Sequence, residues 1–434
     1  MTNFKLKKAI LGDKLYFKEE DIVGGTANNL NSSLFTYDLG ESLVSTMEYF
    51  EDTDVYAVPS GSWHKLEVED IIDTRPKFTK NKLHFNGELR EDQKLIADKI
   101  LVGDKLYSGL IQAGCGFGKS FLGGFLLANY GEPTLILCHS VLLANQWFNL
   151  LKIFLPDVPI GMIGNNKDKV ENITVGIYKS VGNRLDKLRD RFSLVIVDEA
   201  HKCPAATFSK VVNGLNVRVK IALTATPTRK DGMHVVLPDY FGPNKLIAKD
   251  TGKMIPAVQI IQTPVSFPIR NPKLEWSRGL TKLAKNDDYC NIIAEIAKEK
   301  ISEGRALLIL GDRLEMLELL KSKIPNSVLL VGETKNRDEI LDNVGTTIDA
   351  VLSTNIFDEG ISCHRLDTLL LTNPHNNSGR LEQRIGRIIR HHDDKKAPLV
   401  VDFWLQGAIV TAQQRKRHLW YIQKKYKILP TLTI

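Results

Sequence analysis

Leu110-Ile111-Gln112-Ala113-Gly114-Cys115-Gly116-Phe117-Gly118-Lys119-Ser120-Phe121 is the stretch on which the fold turns. A short apolar run (Leu110, Ile111) enters a loop of small residues, and a helix-like segment starts near Phe121. In that strand–loop–helix setting, successive backbone N–H groups of Ala113, Gly114, Gly116 and Gly118 can turn inward around a phosphate, aided by the positive end of the helix dipole. Ala113 stands where the stricter pattern has glycine, and a methyl group is small enough to be tolerated there. Lys119 then reaches the outer phosphates, and the Ser120 hydroxyl is placed to ligate Mg²⁺.

Working outward, residues from 108 onward alternate short apolar runs with amphipathic stretches. The runs Thr134–Cys138, Ile173–Tyr178, Leu194–Val197 and Val219–Ala222 read as strands. Val141–Phe154 carries Leu142, Leu143, Trp147, Leu150 and Leu151 on a 3.6-residue period and reads as a helix. A second series follows, with strands at Ala306–Leu310, Ser327–Val331, Ala350–Leu352, Thr368–Leu371 and Pro398–Val401. Such alternation implies two parallel sheets covered on both faces, with active loops at the carboxyl ends of the strands. The expected organisation is a small strand-rich module over 1–85, a first α/β lobe over 86–250, a linker over 251–280, and a second lobe over 281–434. The linker reading, with room for one strand, rests on little helical period and five prolines (Pro243, Pro256, Pro264, Pro268, Pro272) between 243 and 280.

Asp198-Glu199-Ala200-His201 closes the Leu194–Val197 run. Asp198 at the end of a buried strand can hold Mg²⁺ through water. Glu199 can orient or deprotonate an attacking water, because in-line phosphoryl transfer depends mainly on positioning.

Composition narrows the class. The chain of 434 residues is 43% hydrophobic and 25% charged, as in ordinary soluble domains. No apolar run reaches membrane-spanning length, and Met1-Thr2-Asn3-Phe4-Lys5 opens no secretory apolar core. The five cysteines have no paired spacing, which points to reduced thiols and a cytoplasmic setting. Residues 1–85 hold ten Lys/Arg against fourteen Asp/Glu, whereas 411–434 hold six Lys/Arg and no acid, a tail suited either to a polyanion or to a solvated helix end.

With these motifs in this order, the chain resembles the superfamily 2 DExH helicases across nearly all of residues 85–405. The resemblance implies two tandem RecA-like lobes and an enzyme using ATP and Mg²⁺. Arg90 and Gln93 look like the upstream motif that reads adenine, Gln93 through its amide. Thr224-Ala225-Thr226-Pro227 resembles the motif whose hydroxyls, Thr224 and Thr226, couple the nucleotide site to the nucleic-acid groove, with His201 on the same path. Gln383-Arg384-Ile385-Gly386-Arg387-Ile388-Ile389-Arg390 is similar to QxxGRxxR; Gln383, Arg387 and Arg390 at i, i+4 and i+7 are expected on one helical face, the arginines crossing to the γ-phosphate. In Ser353-Thr354-Asn355-Ile356-Phe357-Asp358-Glu359-Gly360, the resemblance implies that Ser353 and Thr354 touch nucleic-acid phosphate and Asp358 and Gly360 the nucleotide. Weaker correspondences assign nucleic-acid contact to Ser140 and Gln146, to Tyr178, Lys179 and Ser180, and to Asp312 and Arg313.

The form Thr-Ala-Thr-Pro-Thr-Arg-Lys-Asp-Gly over 224–232 and the compact layout resemble DNA branch-migration and repair helicases of the UvsW and RecG type, phage-encoded ones included. That implies a monomer acting on forked, branched or duplex DNA without regard to sequence, in replication, recombination or repair. RNA remodelling and a non-unwinding duplex translocase remain the alternatives. Around the Pro59–Ser62 turn, Tyr56, Trp63 and His64 can stack on a base, or Trp63 can fill a small core. A simple kinase or GTPase is excluded, since neither requires the arginine pair in a second lobe.

Overall fold

The computed structural model describes residues 4–434 apart from 115, 226, 227, 230, 249–253, 268, 270, 333, 335, 355–362, 364, 376, 377 and 390–394. It divides into two units, Met1–Asp250 and Thr251–Ile434.

The first unit contains an eight-stranded sheet in the order Lys167–Lys169, Ile160–Gly164, Ile173–Ile177, Thr134–Cys138, Leu194–Asp198, Val219–Thr224, Gly109–Gln112, Lys245–Ile247. Every pairing is parallel except the outermost, between Ile160–Gly164 and Lys167–Lys169. The central strands are buried along their whole length, the pattern of a sheet covered on both faces. The Val141–Phe154 helix forms over the expected residues; Ser140 caps it by accepting the Leu143 N–H at 3.3 Å.

The amino-terminal module is strand-rich, as expected. Its sheet runs Ile22–Val23, Lys5–Leu11, Lys14–Phe17, Val55–Pro59, Glu48–Phe50, with Glu67–Asp73 parallel to Lys5–Leu11. The module is bound tightly to the first lobe. Lys65 Nζ lies 2.5 Å from Asp239, Tyr37 donates to the same carboxylate at 2.8 Å and Thr46 at 2.6 Å, and Asp239 is fully buried. A Cβ at Gly61 would sit 2.5 Å from the Tyr240 backbone, so only glycine allows this approach. Chain continuity blurs the 85/86 boundary, since Asn81 N–H already donates to the Gly131 carbonyl at 2.7 Å and Phe85 packs edge-on against Phe121 at 5.0 Å.

The second unit holds another parallel sheet, Ser327–Leu330, Ala350–Ser353, Leu307–Leu310, Thr368–Leu371, Leu399–Gln406, Ala257–Ser266, with Lys427–Ile428 and Leu432–Thr433 both along the last strand. The expectation of a linker over 251–280 is corrected here: the one strand it left room for is Ala257–Ser266, ten residues within this sheet, and Pro272–Ala284 is a helix packed in its core. Three of the prolines misled because they occupy tolerated places. Pro256 precedes the strand, Pro264 falls within the register shift between Gln262 and Ser266, and Pro272 opens the helix. Closing the unit, the Ala408–Gln423 helix is pinned by Arg417, whose Nε donates to buried Asp402 at 2.8 Å, and by Tyr421, which donates to the same carboxylate at 3.1 Å.

Candidate functional site

In the first unit the phosphate loop connects the Gly109–Gln112 strand to the Lys119–Tyr130 helix. Gly116 and Gly118 have φ of 84° and 81°, left-handed values that glycine adopts without strain. A Cβ on Gly118 would lie 2.6 Å from Gln93 Nε2. Lys119 Nζ donates to the Ala113 carbonyl at 3.1 Å and to that of Gly114 at 3.5 Å, so its ammonium lies within the loop. Ser120 follows in the first helical turn, partly buried.

Arg90 and Gln93 flank this loop. Gln93 is buried; its Oε1 accepts from the Arg90 N–H at 3.0 Å and its Nε2 donates to the Phe117 carbonyl at 2.8 Å. Arg90 Nη2 donates to the same carbonyl at 2.8 Å. The two residues expected to read a base thus also brace the phosphate loop.

The carboxylates stand at the end of Leu194–Asp198. Asp198 Oδ2 accepts from Trp147 Nε1 at 2.8 Å, and Oδ1 from the Glu199 N–H at 2.9 Å. Glu199 takes left-handed backbone angles, φ 52° and ψ 48°, a costly conformation for a non-glycine residue, which turns its side chain away from the strand. His201 Nδ1 lies 3.2 Å from Glu199 Oε2 and 3.2 Å from Thr224 Oγ1. Thr224 in turn accepts the Ala113 N–H at 2.9 Å through its carbonyl. Thr224 thus touches both the loop, through a backbone hydrogen bond, and His201, whose ring lies beside the Glu199 carboxylate.

Burial raises the Asp198 carboxyl, and the adjacent Glu199 charge adds to it. At Glu199 burial pushes the same way, but the His201 ring and the Lys119 ammonium outweigh it and hold that carboxyl down at about 2. Two neighbouring acids are thus pushed apart, Glu199 firmly ionised and Asp198 less so. Sequence reading missed Trp147 here. Its place on the apolar period of a helix marks it as core, and only the fold shows that its indole N–H orients Asp198.

The other expected contacts divide. Ser140, Lys179 and Ser180 lie at the carboxyl ends of the Thr134–Cys138 and Ile173–Ile177 strands, where the first lobe's loops gather, whereas Gln146 sits in the second turn of the Val141–Phe154 helix with its Oε1 buried. Tyr178 does not fit a nucleic-acid role: it is 2% exposed and stacks on Phe208 at 4.3 Å. In the second unit Ser353 is fully buried, donating to the Leu330 carbonyl at 2.8 Å, so its hydroxyl is spent inside the sheet; Thr354 beside it is partly exposed. Arg313 also departs from expectation. Its guanidinium donates to Ser277 Oγ at 2.7 Å, to the Ser277 carbonyl at 2.9 Å and to Thr281 at 3.2 Å, clasping the Pro272–Ala284 helix. Asp312 lies 3.7 Å from Arg384.

The helix of the arginine motif spans Ser378–Ile385 and stops before Arg387. Gly386 loosens it there, and Arg387 N–H bonds back to the Arg384 carbonyl at 3.1 Å in a tighter turn. Gln383 is on the helix and buried Arg387 on the turn, so they do not share one helical face. Thr226, Asp358, Gly360 and Arg390 lie outside the described residues. Trp63, on the Ser60–Lys65 turn, is 48% exposed and so not core. The described cysteines Cys138, Cys203, Cys290 and Cys363 are buried and free. Among the described residues no helix is long and apolar enough to cross a membrane.

Residues 86–229 match the family model of the type III restriction enzyme res subunit, and 284–392 that of the helicase conserved C-terminal domain. The chain is 28% identical over 323 residues to "Probable helicase D10" of Escherichia phage T5, covering 72% of this chain and 71% of that protein. It is 27% identical over 404 residues to "DNA 3'-5' translocase XPB2" of Sulfurisphaera tokodaii, covering 81% of this chain and 89% of the relative. Among solved structures, S. cerevisiae Dbp5 bound to RNA and ADP BeF3 superposes with a TM-score of 0.57 at 12% identity, covering 79% of this chain and 89% of the other; this similarity concerns the fold alone.

Proposed function

We propose that this chain, a superfamily 2 helicase and hence an ATP-dependent enzyme, acts on DNA, unwinding or branch-migrating forked and junction substrates in replication, recombination or repair. The observation carrying the DNA reading is Arg229. It belongs to the Thr-Arg-Lys-Asp-Gly segment that resembles DNA-remodelling relatives, and its Nη1 donates to the His201 carbonyl at 3.0 Å while Nε holds Asp231 at 2.9 Å. That segment is tied directly to the carboxylate site. The relative named a DNA translocase, matched over 89% of its length, supports the same reading.

The residues fit a nucleotide with its metal. The left-handed Gly116 and Gly118 of the loop, the Lys119 ammonium inside it, and two ionisable carboxylates under its influence form a polyphosphate cradle. Ser120 and Asp198 would hold Mg²⁺, Asp198 through water, since both its oxygens already accept one hydrogen bond and keep a further lone pair. Mg²⁺ supplies charge neutralisation on the phosphates when bound. Lys119 adds a second positive charge. Glu199, held ionised by the His201 ring and the Lys119 ammonium, would orient or deprotonate the water for in-line attack. His201 and Thr224 carry the state of that carboxylate to the loops at the strand ends. In the second unit Arg387 is the arginine finger of this reading, and Thr354, Lys179 and Ser180 contact the sugar–phosphate backbone.

The test is ATP hydrolysis at one salt concentration with no nucleic acid, single-stranded DNA, duplex, a four-way junction and RNA. Hydrolysis rising most with the junction, and abolished by Lys119→Ala, is the expected outcome. Stimulation by RNA alone overturns the DNA reading and leaves the motor standing.

A further inference from the structure

We propose that the outward face of the Ala408–Gln423 helix, continued by Lys425 and Lys427, is a contact surface for the sugar–phosphate backbone of duplex DNA, separate from the motif loops. The inference rests on the DNA reading above and adds a site to it.

The helix has two distinct faces. Val410, Gln414, Arg417 and Tyr421, spaced i, i+4, i+7 and i+11, are at most 3% exposed and face the unit's interior. Ala412, Arg415, Lys416, Leu419 and Gln423 lie on the opposite side and are exposed, with Ile422 beside them. The six cations of 411–434 sort by what they hold. Arg417 is consumed by Asp402 and by the His375 carbonyl, to which its Nη1 donates at 3.0 Å. Lys424 pairs with Glu382 at 2.8 Å and lies over the Trp420 ring at 5.4 Å. Arg415, Lys416, Lys425 and Lys427 remain, all exposed and with no ion pair among the described residues.

Four solvent-facing cations with no acid among residues 411–434, the nearby Glu382 being neutralised by Lys424, make a surface of predominantly positive sign, which complements a uniform polyanion rather than the mixed charges of a protein surface. From Arg415 to Gln423 the helix rises roughly 12 Å, enough to follow two or three phosphates of one strand. Because Asp402 and Arg417 fix the helix from beneath, the backbone bearing these cations is ordered before any ligand arrives, and binding forfeits only side-chain freedom. Leu419 and Ile422, 57% and 51% exposed, lie between the charges and suit the apolar edges of deoxyribose.

The experiment compares the full chain with the triple variant Arg415→Gln, Lys416→Gln, Lys425→Asn. Asparagine is chosen at 425 because that residue has a left-handed φ of 58°. Binding of a fluorescent duplex of about 30 bp is followed by anisotropy from roughly 50 to 200 mM KCl. Loss of three phosphate contacts should flatten the slope of log K against log salt by about 2 to 3 and weaken binding about tenfold or more at low salt. DNA-free ATP hydrolysis and the melting temperature should not move. An unchanged slope with unchanged affinity overturns the proposal. So does a variant that keeps DNA but loses labelled RNA or polyglutamate, since the face would then serve another ligand. A parent chain that binds no nucleic acid, and whose hydrolysis none stimulates, overturns the proposed function itself; a parent that binds DNA with the same slope as the variant overturns this surface alone.

Discussion

Asp239 and Asp402 are both fully buried carboxylates that hold an outlying segment against an α/β unit, and they do it differently. Asp239 gathers Lys65, Tyr37 and Thr46, residues from three places in the amino-terminal module about 170 to 200 positions away. Asp402 gathers Arg417 and Tyr421 from the helix that follows its own strand. Lys65 is a point charge that keeps 19% of its side chain exposed and also lies over the Phe35 and Tyr37 rings at 5.0 and 5.2 Å. Arg417 is a planar fork, 1% exposed, and the carboxylate answers most of its charge. The tyrosines of both sites are driven upward in pKa by burial and then by the carboxylate, so both stay protonated donors. The lesson is that a buried charge is only as dispensable as its partner's access to water.

The largest effect follows from that. Asp402→Ala strands Arg417 in the interior and should cost about 3–5 kcal/mol, read as lost hydrogen-exchange protection over 399–423. Replacing both members, Asp402→Leu with Arg417→Met, should recover most of the loss; no recovery would mean that the pair holds the helix by more than charge. Asp239→Ala should cost less, about 2–3 kcal/mol, because Lys65 can turn to water and to its aromatic neighbours. Equal losses at the two sites would break the contrast. Lys220 sharpens it, being 3% exposed with no hydrogen-bond partner for Nζ among the described residues, and burial depresses its pKa to about 8. Lys220→Met should stabilise by on the order of 2 kcal/mol at pH 7. Below pH 8 the lysine is protonated folded or unfolded, and the folded chain carries the cost of a buried ammonium. Between about 8 and 10.5 the folded form sheds its proton first, so stability rises with pH and the parent approaches the variant; a flat pH response would refute the assignment. Smallest is Lys424→Gln, an exposed partner of Glu382 whose loss should cost less than about 0.5 kcal/mol, measured as a melting shift near zero.

Local chemistry was legible in the sequence; pairing across distance was not. Thr134–Cys138 and Val141–Phe154 announce themselves by unbroken apolar content and a 3.6 period. Lys119, Asp198 and Glu199 could be named as candidates, and the fold brings them together, because loop and strand-end chemistry is written in consecutive residues. The place of Ala257–Ser266 in the sheet, and the helix after it, were hidden because prolines weigh against both until the bulge and the helix start that house them are known. Arg313 and Tyr178 looked like surface contacts because their sequence neighbours do not reveal Ser277 or Phe208, distant in the chain and adjacent in space. Asp239 carried no signal at all, since each of its partners is an ordinary polar residue until the module folds over it.

The position of Ala257–Ser266 in its sheet also governs how the second unit is made. Its partners are Leu399–Gln406, Lys427–Ile428 and Leu432–Thr433, all synthesised later. At about 5–20 residues per second, roughly 7 to 28 s separate the strand's emergence from the ribosome and the completion of its first partner. Through that interval a ten-residue strand, alternately apolar along its length, has both edges open, the condition under which a nascent segment is most exposed to edge-to-edge association.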